Sequence, residues 1–294
     1  MATSTTTATQ LTSEQVLDFL IRPLEAASTF LSSGPQIYDT DGSPIRIPKL
    51  TSMGAPAFTA EGSAIAEVDP TFSEVTLLPS TIRPVSSITR FSNQLARQSV
   101  IDLTTSLQSK MVRDVADVLD SAFYTGTGAG TASPTGLLNY SGITVAGSAI
   151  GTATPDHLYD ALGAALDADV DISRLRWVIS PTDFVKLHKL KDSTGRGLVV
   201  PDPTQGAISR LLGFPVSVTS KMPSTAAGGT ATVGLVDFSQ IAVARDLTPT
   251  VTILPERYAE FDQQAIRVVT RWDAAPLNPE AVVTLSGITT WATA

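Results

Sequence analysis

The residues able to do acid–base or metal chemistry are few and scattered along this 294-residue chain. Its only histidines, His157 and His188, each lie on a separate predicted helix, without the second histidine that a helical zinc site needs. There is no cysteine, which excludes disulfides, thiolate metal ligands and a cysteine nucleophile. The sequence therefore predicts no metal site.

Two short motifs imitate ligand-binding loops. Residues 125–139, TGTGAGTASPTGLLN, carry alternate glycines like a phosphate loop, but a predicted helix precedes them and no Gly-Lys-Ser/Thr follows. Residues 167–171, DADVD, begin like a calcium loop, but Ile172 replaces the required glycine and Val178 the final glutamate. We interpret the first motif as a flexible turn and the second as a helix end followed by a solvated turn.

Hydrolytic chemistry also lacks a sequence signal. No G-x-S-x-G motif places a serine nucleophile. Glu256 and Glu260 are paired carboxylates of the kind used in acid–base catalysis, but nothing in the sequence places them in a cleft. The prediction is a protein that is not an enzyme and binds no cofactor. The contrasting hypothesis, a hydrolase or another α/β enzyme, would need a nucleophile, base or metal set.

Composition favours a folded chain whose surface is covered by partners. Apolar residues make up 43% of the sequence, enough for a core, and charged residues only 16%. The net charge of −8 argues against a surface that grips nucleic acid. The N-terminal residues lack a basic region, and no apolar run is long enough to cross a membrane, so neither a signal peptide nor a membrane span is expected.

The longest helical pattern lies in residues 91–126. Apolar residues recur at three- and four-residue steps, whereas polar residues, Asp120 among them, take the opposite side. The apolar stripe consists of Val100, Leu103, Leu107, Met111, Val115, Val118 and Ala122. The pattern predicts a helix from about Asn93 to Tyr124 that Gly126 ends. The alternative is a short helix, a break and a restart at Ser99.

Residues 44–89 change to a period of two, which predicts one long β-hairpin with a small-residue tip. A two-stranded ribbon is marginal alone in water, and its open edges invite pairing. Either the hairpin reaches a neighbouring subunit, or it folds back on its own domain. The preceding residues read as an arm, in which Phe30 and Leu31 have no local partner.

The rest of the chain alternates helices and strands. Thr154-Pro155 and the Ser180…Asp183 capping box each begin a helix, and LRWVI (175–179) reads as a buried strand. A short helix is predicted at 208–212, and strands dominate thereafter. This order predicts a mixed α+β fold.

These parts, in this order, resemble a tailed-phage major capsid protein with the Hong Kong 97 capsid fold. The resemblance is carried by the hairpin AFTAEGSAIAEVDPTFSEVTL, the long helix running into AFYTGTGAGTASPTGLLN, and the segments RWVISPTDFVKLHKLKDSTGRGL and ISRLLGFPVSVTSKMP. It continues through VGLVDFSQIAVARDLTPTVTI and the closing AIRVVTRWDAAPLNPEAVVTL, with its Arg271-x-Asp273 pattern. It covers nearly the whole chain.

The resemblance implies a domain organisation. Residues 1–43 would be an N-terminal arm and residues 44–90 the extended loop. The peripheral domain with its long spine helix would comprise 91–137 and 238–278, and the axial domain 138–237 and 279–294.

It also implies a function and partners. Subunits would self-assemble as hexamers and pentamers into an icosahedral head that encloses double-stranded DNA without sequence-specific binding. The capsid would be assembled in the bacterial host cytoplasm, with a portal, a separate scaffolding protein or none, and decoration proteins as further partners. The alternative with the same fold is an encapsulin-type nanocompartment shell.

Two features of this sequence differ from those of some members of the family that it resembles. Residues 50–90 contain no lysine and residues 239–277 no asparagine, so the lysine–asparagine crosslink of some family members is not expected. Only about 40 residues precede the hairpin, fewer than a fused scaffolding region needs, so little N-terminal processing is expected.

The resemblance places candidate contacts between subunits in three regions. In the extended loop they are Met53, Phe58, Glu61, Glu67, Asp69 and Glu74. On the long helix they are Arg97, Lys110 and Arg113. Around the threefold axis they are Arg257 and Arg271.

Overall fold

The computed structural model has a mixed α+β architecture, as the sequence predicted. The described residues are 24, 27–52, 58, 69, 71–79, 84–94, 103–128, 133–191, 210–246, 250–254 and 256–292.

The α-helices with described bounds are α1 (Leu103–Thr125), α2 (Asp156–Asp167) and α3 (Pro181–His188). The strands are β1 (Gln36–Thr40), β2 (Ile45–Ser52), β3 (Thr71–Leu77), β4 (Val85–Ser92), β5 (Thr144–Gly147), β6 (Gly151–Ala153), β7 (Leu175–Ile179), β8 (Arg210–Leu211), β9 (Phe214–Val218), β10 (Ala231–Asp237), β11 (Ile241–Asp246), β12 (Thr250–Leu254), β13 (Gln263–Thr270), β14 (Trp272–Pro276) and β15 (Val282–Trp291).

A central sheet separates two hydrophobic cores. Its strands follow the order β5–β15–β10–β7–β9–β8, and β6 also pairs with β15. Because successive side chains of a strand point to opposite faces, Val178 packs in the core that contains α1, whereas Trp177 and Ile179 pack in the core beneath α2 and α3. A strand buried on both faces has a continuous apolar sequence, which is why LRWVI could be predicted.

Helix α1 is 23 residues long, about 35 Å at 1.5 Å per residue. Its buried side chains form two adjacent rows rather than one stripe. The rows are Met111, Val115, Leu119 and Phe123, and Val112, Ala116, Asp120 and Tyr124. The predicted stripe was therefore partly wrong, because Val118 is 53% exposed while Asp120, assigned to the solvent side, is buried. Whether the helix breaks at Ser99 lies outside the described residues.

Hydrogen bonds from a distant segment explain why Asp120 faces inward. Its carboxylate accepts from the Thr29 backbone N–H and the Thr29 hydroxyl, both at 2.8 Å, and from the Ser28 hydroxyl. These groups lie about 90 positions earlier in the chain. A buried carboxylate is tolerated when donors satisfy it in this way.

The turn held by Asp120 belongs to the main core. The Phe30 ring packs against Phe123 and Tyr124, at centroid distances of 4.9 and 5.3 Å, and Leu31 is also buried. Phe30 and Leu31, which lacked a local partner in the sequence, find one on α1. β1, which follows, extends the fold by pairing in parallel with β11.

Three smaller sheets complete the described fold: β1–β11–β14, β12–β13–β4 and β2–β3. β2 and β3 pair antiparallel, so the predicted hairpin is confirmed in these strands. β4, predicted as part of the same hairpin, instead pairs with β13 along its whole length.

The short helix predicted at 208–212 is wrong in its described part. β8 pairs antiparallel with the start of β9. The connecting residues Leu212 and Gly213 have φ values of 52° and 85°, as a two-residue hairpin turn of type I′ requires.

Candidate inter-subunit contact surfaces

The β2–β3 hairpin presents an apolar face that no described part of the chain covers. Leu50 lies directly opposite Phe72, and the two residues are 50% and 72% exposed. Phe58, in the tip, is fully exposed. Exposed apolar patches of this kind mark interaction sites, and a two-stranded ribbon needs a surface to pack against.

The inner end of the hairpin is rooted in a small core of its own. Leu77 and Leu78 are buried against Ala242 and Ala244 of β11, with Ile47 packed beside them. The hairpin is therefore fixed at its root, and its outer half extends from the body.

Glu74, predicted to face a neighbouring subunit, has a partner within its own hairpin. Its Oε1 lies 3.6 Å from Nη1 of Arg46 on the adjacent strand. Both side chains are more than half exposed, so the pair contributes only about 0–1 kcal/mol. Asp69 is exposed as well. The remaining predicted hairpin residues, Met53, Glu61 and Glu67, lie outside the described residues.

The outer side of α1 carries mixed charges. Lys110 pairs with Asp114 one turn along the helix, and Asp117 Oδ1 lies 3.5 Å from Lys221 Nζ. Arg113 is exposed on the same side. Arg97 lies outside the described residues. Of the predicted basic contacts on this helix, Lys110 thus already has a partner within the chain.

Two side chains near the start of β14 hold the root of the hairpin. Asp273 Oδ2 accepts a hydrogen bond from the Leu78 backbone N–H at 2.8 Å, and Arg271 Nη2 donates to the Pro79 carbonyl at 3.4 Å. Leu78 has a φ of 52°, a left-handed conformation that persists in a leucine only when its surroundings enforce it. We call Arg271 and Asp273 the root clamp, because together they fix the direction in which the chain leaves the hairpin.

The root clamp borders a cleft of about 560 Å³ lined by Thr76, Asp273 and Tyr140. Burial raises the pKa of the Asp273 carboxyl, and the backbone N–H groups of Leu78 and Ala274 oppose this rise. Burial also raises the pKa of the Tyr140 hydroxyl, and the nearby Asp273 charge adds to that rise. The Tyr140 hydroxyl has no hydrogen-bond partner among the described residues.

The raised pKa of Asp273 predicts a pH dependence with a definite sign. Because the folded chain holds this proton more tightly than the unfolded chain, the carboxyl stabilises the fold at low pH. That contribution is lost as the pH rises from the ordinary value of 3.8 through the folded pKa. We expect the difference in unfolding free energy between the wild type and Asp273→Asn to shrink over that range in urea titrations.

Asp171 supplies a control of opposite sign. Hydrogen bonds from the Ser173 hydroxyl and N–H lower the pKa of Asp171, so its stabilisation is lost as the pH falls below 3.8. The difference between the wild type and Asp171→Asn should therefore shrink at low pH. If the difference between the wild type and Asp273→Asn also shrank at low pH, the raised pKa of Asp273 would be contradicted.

The two arginines predicted near a threefold axis have different surroundings. Arg271 belongs to the root clamp, and its Nε is buried without a described hydrogen-bond partner. Arg257 is exposed, with its guanidinium 5.6 Å from the centroid of the Tyr258 ring, which Arg90 also approaches at 5.3 Å.

Two of the residues considered for chemistry have structural roles. His157 Nδ1 lies 2.9 Å from the Thr154 hydroxyl at the start of α2. Asp171, in the calcium-like motif, receives the Ser173 hydrogen bonds and lies 3.5 Å from Arg174. Within the described residues, no group of three or more His, Asp or Glu side chains could hold a metal ion.

The described ends of the glycine-rich motif after α1 lie against each other. The Gly136 N–H donates to the Gly126 carbonyl at 2.7 Å, and a Cβ on Gly136 would lie 2.4 Å from the Gly126 nitrogen. Asn139 Nδ2 donates to the Thr125 and Gly126 carbonyls at the helix end. These glycines are needed for close backbone contact.

None of the described helices is long and apolar enough to cross a membrane. The two main features of the described fold are a hairpin that is anchored at its root and has an exposed apolar face, and a long helix that packs against a mixed sheet.

A model of the Phage capsid family matches residues 10–287. The chain belongs to the phage capsid family. The sequence matches no curated protein.

Solved structures share the fold of this phage capsid family member. A chain from "Capsid of native GTA particle computed with C5 symmetry" matches with a TM-score of 0.70 at 21% identity, over 88% of this chain and 90% of that one. A chain from Mycobacterium phage Bobi matches with 0.69 at 16%, over 90% of each chain. One from Microbacterium phage Oxtober96 matches with 0.68 at 14%, over 90% and 91%.

Membership of this family makes the chain a major capsid protein, which is a structural component of an icosahedral phage head. Its location is the capsid of the virion. The family does not favour the nanocompartment alternative. The hydrolase hypothesis receives no support from the described site geometry.

Proposed function

We propose that copies of this chain assemble as hexamers and pentamers into the shell, with each β2–β3 hairpin lying across a neighbouring copy. The observation that carries this proposal is the exposed Leu50–Phe72 pair on a hairpin whose described residues are anchored at its root. A neighbour would bury this pair and supply the surface that a two-stranded ribbon lacks.

We further propose that the two cores correspond to two functional units. The core around α1 would belong to a peripheral domain built from 91–137 and 238–278. The core beneath α2 and α3 would belong to an axial domain built from 138–237 and 279–294. The shared central sheet supports a rigid connection between them, because its strands contribute side chains to both cores.

The packaged partner would be double-stranded DNA, held without sequence-specific binding. With a net charge of −8, the chain has no excess of cations to exchange for the counterions of DNA. By analogy with the family, we also propose that the shell is assembled in the host cytoplasm. Its further partners would be a separate scaffolding protein, a portal and decoration proteins.

Phe58→Ala should weaken particle assembly more than it weakens subunit folding. The side chain is fully exposed in the subunit, so its removal changes the folding free energy by about 0.5 kcal/mol or less. Particle yield by gradient sedimentation and soluble subunit yield should be measured on the same preparations. Equal losses of both would argue against a contact role for Phe58.

Mature particles should contain no covalent links between subunits. The segments that would supply the reacting lysine and asparagine lack these residues. On a denaturing gel the particle protein should run as a single band near 30.8 kDa. A ladder of multimers that survives boiling would contradict the prediction.

The assembly itself is tested by sedimentation velocity of the purified chain. We expect pentamers, hexamers or closed shells in place of a 30.8 kDa monomer. A folded chain that remains monomeric at every concentration would overturn the proposal.

A further inference from the structure

One side of α2 is exposed and lies against no described element. Its residues follow one another at three- and four-residue steps, so they share one side of the helix. Tyr159 and Leu166 form its apolar centre, 57% and 45% exposed, and carboxylates flank them. We call this the acidic face, which comprises Asp156, Tyr159, Asp160, Gly163, Leu166 and Asp167.

Gly163 lies in the middle of the acidic face. A Cβ added there would meet nothing within 4 Å, and its φ is not positive. Neither packing against the described residues nor backbone conformation therefore requires a glycine, which destabilises a helix interior relative to alanine. A glycine does allow another backbone to approach closely.

The exposed side of α3, together with the residues that follow the helix, has the opposite charge. Val185 is 48% exposed and is accompanied by exposed lysines, whereas the one acid of the helix, Asp183, is fully buried. We call this the basic face, which comprises Val185 and Lys186 of α3 and the exposed Lys189 and Lys191 that directly follow it. Lys186 also donates to the Thr225 hydroxyl at 2.6 Å.

Neither face is neutralised by the described part of the chain. Among the described ion pairs, none includes Asp156, Asp160, Asp167, Lys189 or Lys191. Each face combines an apolar centre with charged neighbours, which is the usual anatomy of a protein interface.

We infer that the acidic face of one copy docks on the basic face of a second copy. Charge complementarity selects this pairing, because two acidic faces would repel each other. A contact between two different surfaces of identical subunits is heterologous, and it closes into a ring when the rotation allows. The inference rests on the proposed hexamers and pentamers and names the surfaces that hold their rings together.

Gly163→Ala and Gly163→Phe separate docking from folding. Alanine should raise the melting temperature of the unassembled subunit, because the helix gains propensity. Phenylalanine points into solvent in the subunit and should leave it folded by circular dichroism, yet it should lower particle yield about tenfold or more by blocking the approach. Wild-type particle yield from a folded Gly163→Phe subunit would overturn the inference.

Cysteine crosslinking tests the pairing itself, since the natural chain has no cysteine. Subunits carrying only Tyr159→Cys and subunits carrying only Val185→Cys are mixed before assembly and then oxidised. A covalent dimer from the mixture, absent from either variant alone, is the expected result. A dimer from Tyr159→Cys alone, or particles without any dimer, would overturn the inference. Failure of the wild type to assemble would instead refute the proposed function.

Discussion

Asp183→Ala is expected to lower the free energy of unfolding by about 3–5 kcal/mol, a large part of the typical total of about 5–15 kcal/mol. The carboxylate is fully buried, and its oxygens accept from the Thr225 N–H at 3.2 Å and the Trp291 Nε1–H at 3.1 Å. The hydroxyls of Ser180 and Thr225 also donate to it. Asp183 thus joins the start of α3, a loop and the end of β15.

The size of the loss follows from the donors left behind. Each buried N–H without an acceptor costs about 1–3 kcal/mol, and the Ser180 hydroxyl, which loses its carboxylate acceptor, adds about 1 kcal/mol. Asp183→Asn keeps the shape and one acceptor oxygen, so it should lose less. Asp171→Ala, which removes an exposed carboxylate that also caps a turn, should lose far less. Urea titrations of the three variants measure the order, and equal losses would contradict the argument.

Phe72→Asp should abolish particle formation while leaving the subunit folded. The substitution costs the exposed strand at most about 1 kcal/mol through β-propensity. In the shell it would bury an unpaired carboxylate at every copy of the contact. A penalty of about 3 kcal/mol weakens each contact roughly a hundredfold.

Phe72→Leu is the matched control, because it keeps an apolar side chain opposite Leu50. Its particle yield should remain near that of the wild type. Thermal melts of both unassembled variants report on folding, and gradient sedimentation reports on particles. Normal particles from Phe72→Asp would exclude the outer half of the hairpin from the contacts between subunits.

The sequence predicted correctly those helices and strands whose signal lies within one short segment of the chain. β2 and β3 followed from alternation, β7 from a continuous apolar run, and α3 from the Ser180…Asp183 capping box, whose hydrogen bond forms at 3.2 Å. Within α1 the same method failed for Val118 and Asp120, because spacing alone does not say how many rows of a helix are covered.

The misses share a long-range cause. The inward position of Asp120 depends on donors at Ser28 and Thr29, and Phe30 acquires its partners only when that turn reaches α1. The root clamp was visible only as the degenerate Arg271-x-Asp273 pattern. Its function depends on the backbone of Leu78, almost 200 positions away, which no sequence period records.

Cryo-electron microscopy of the assembled particles shows directly whether the hairpin lies on a neighbouring copy. We expect closed icosahedral shells in which Leu50 and Phe72 of each hairpin are covered by a neighbouring copy. Shells in which these two side chains remain exposed, or pack only on their own subunit, would contradict it.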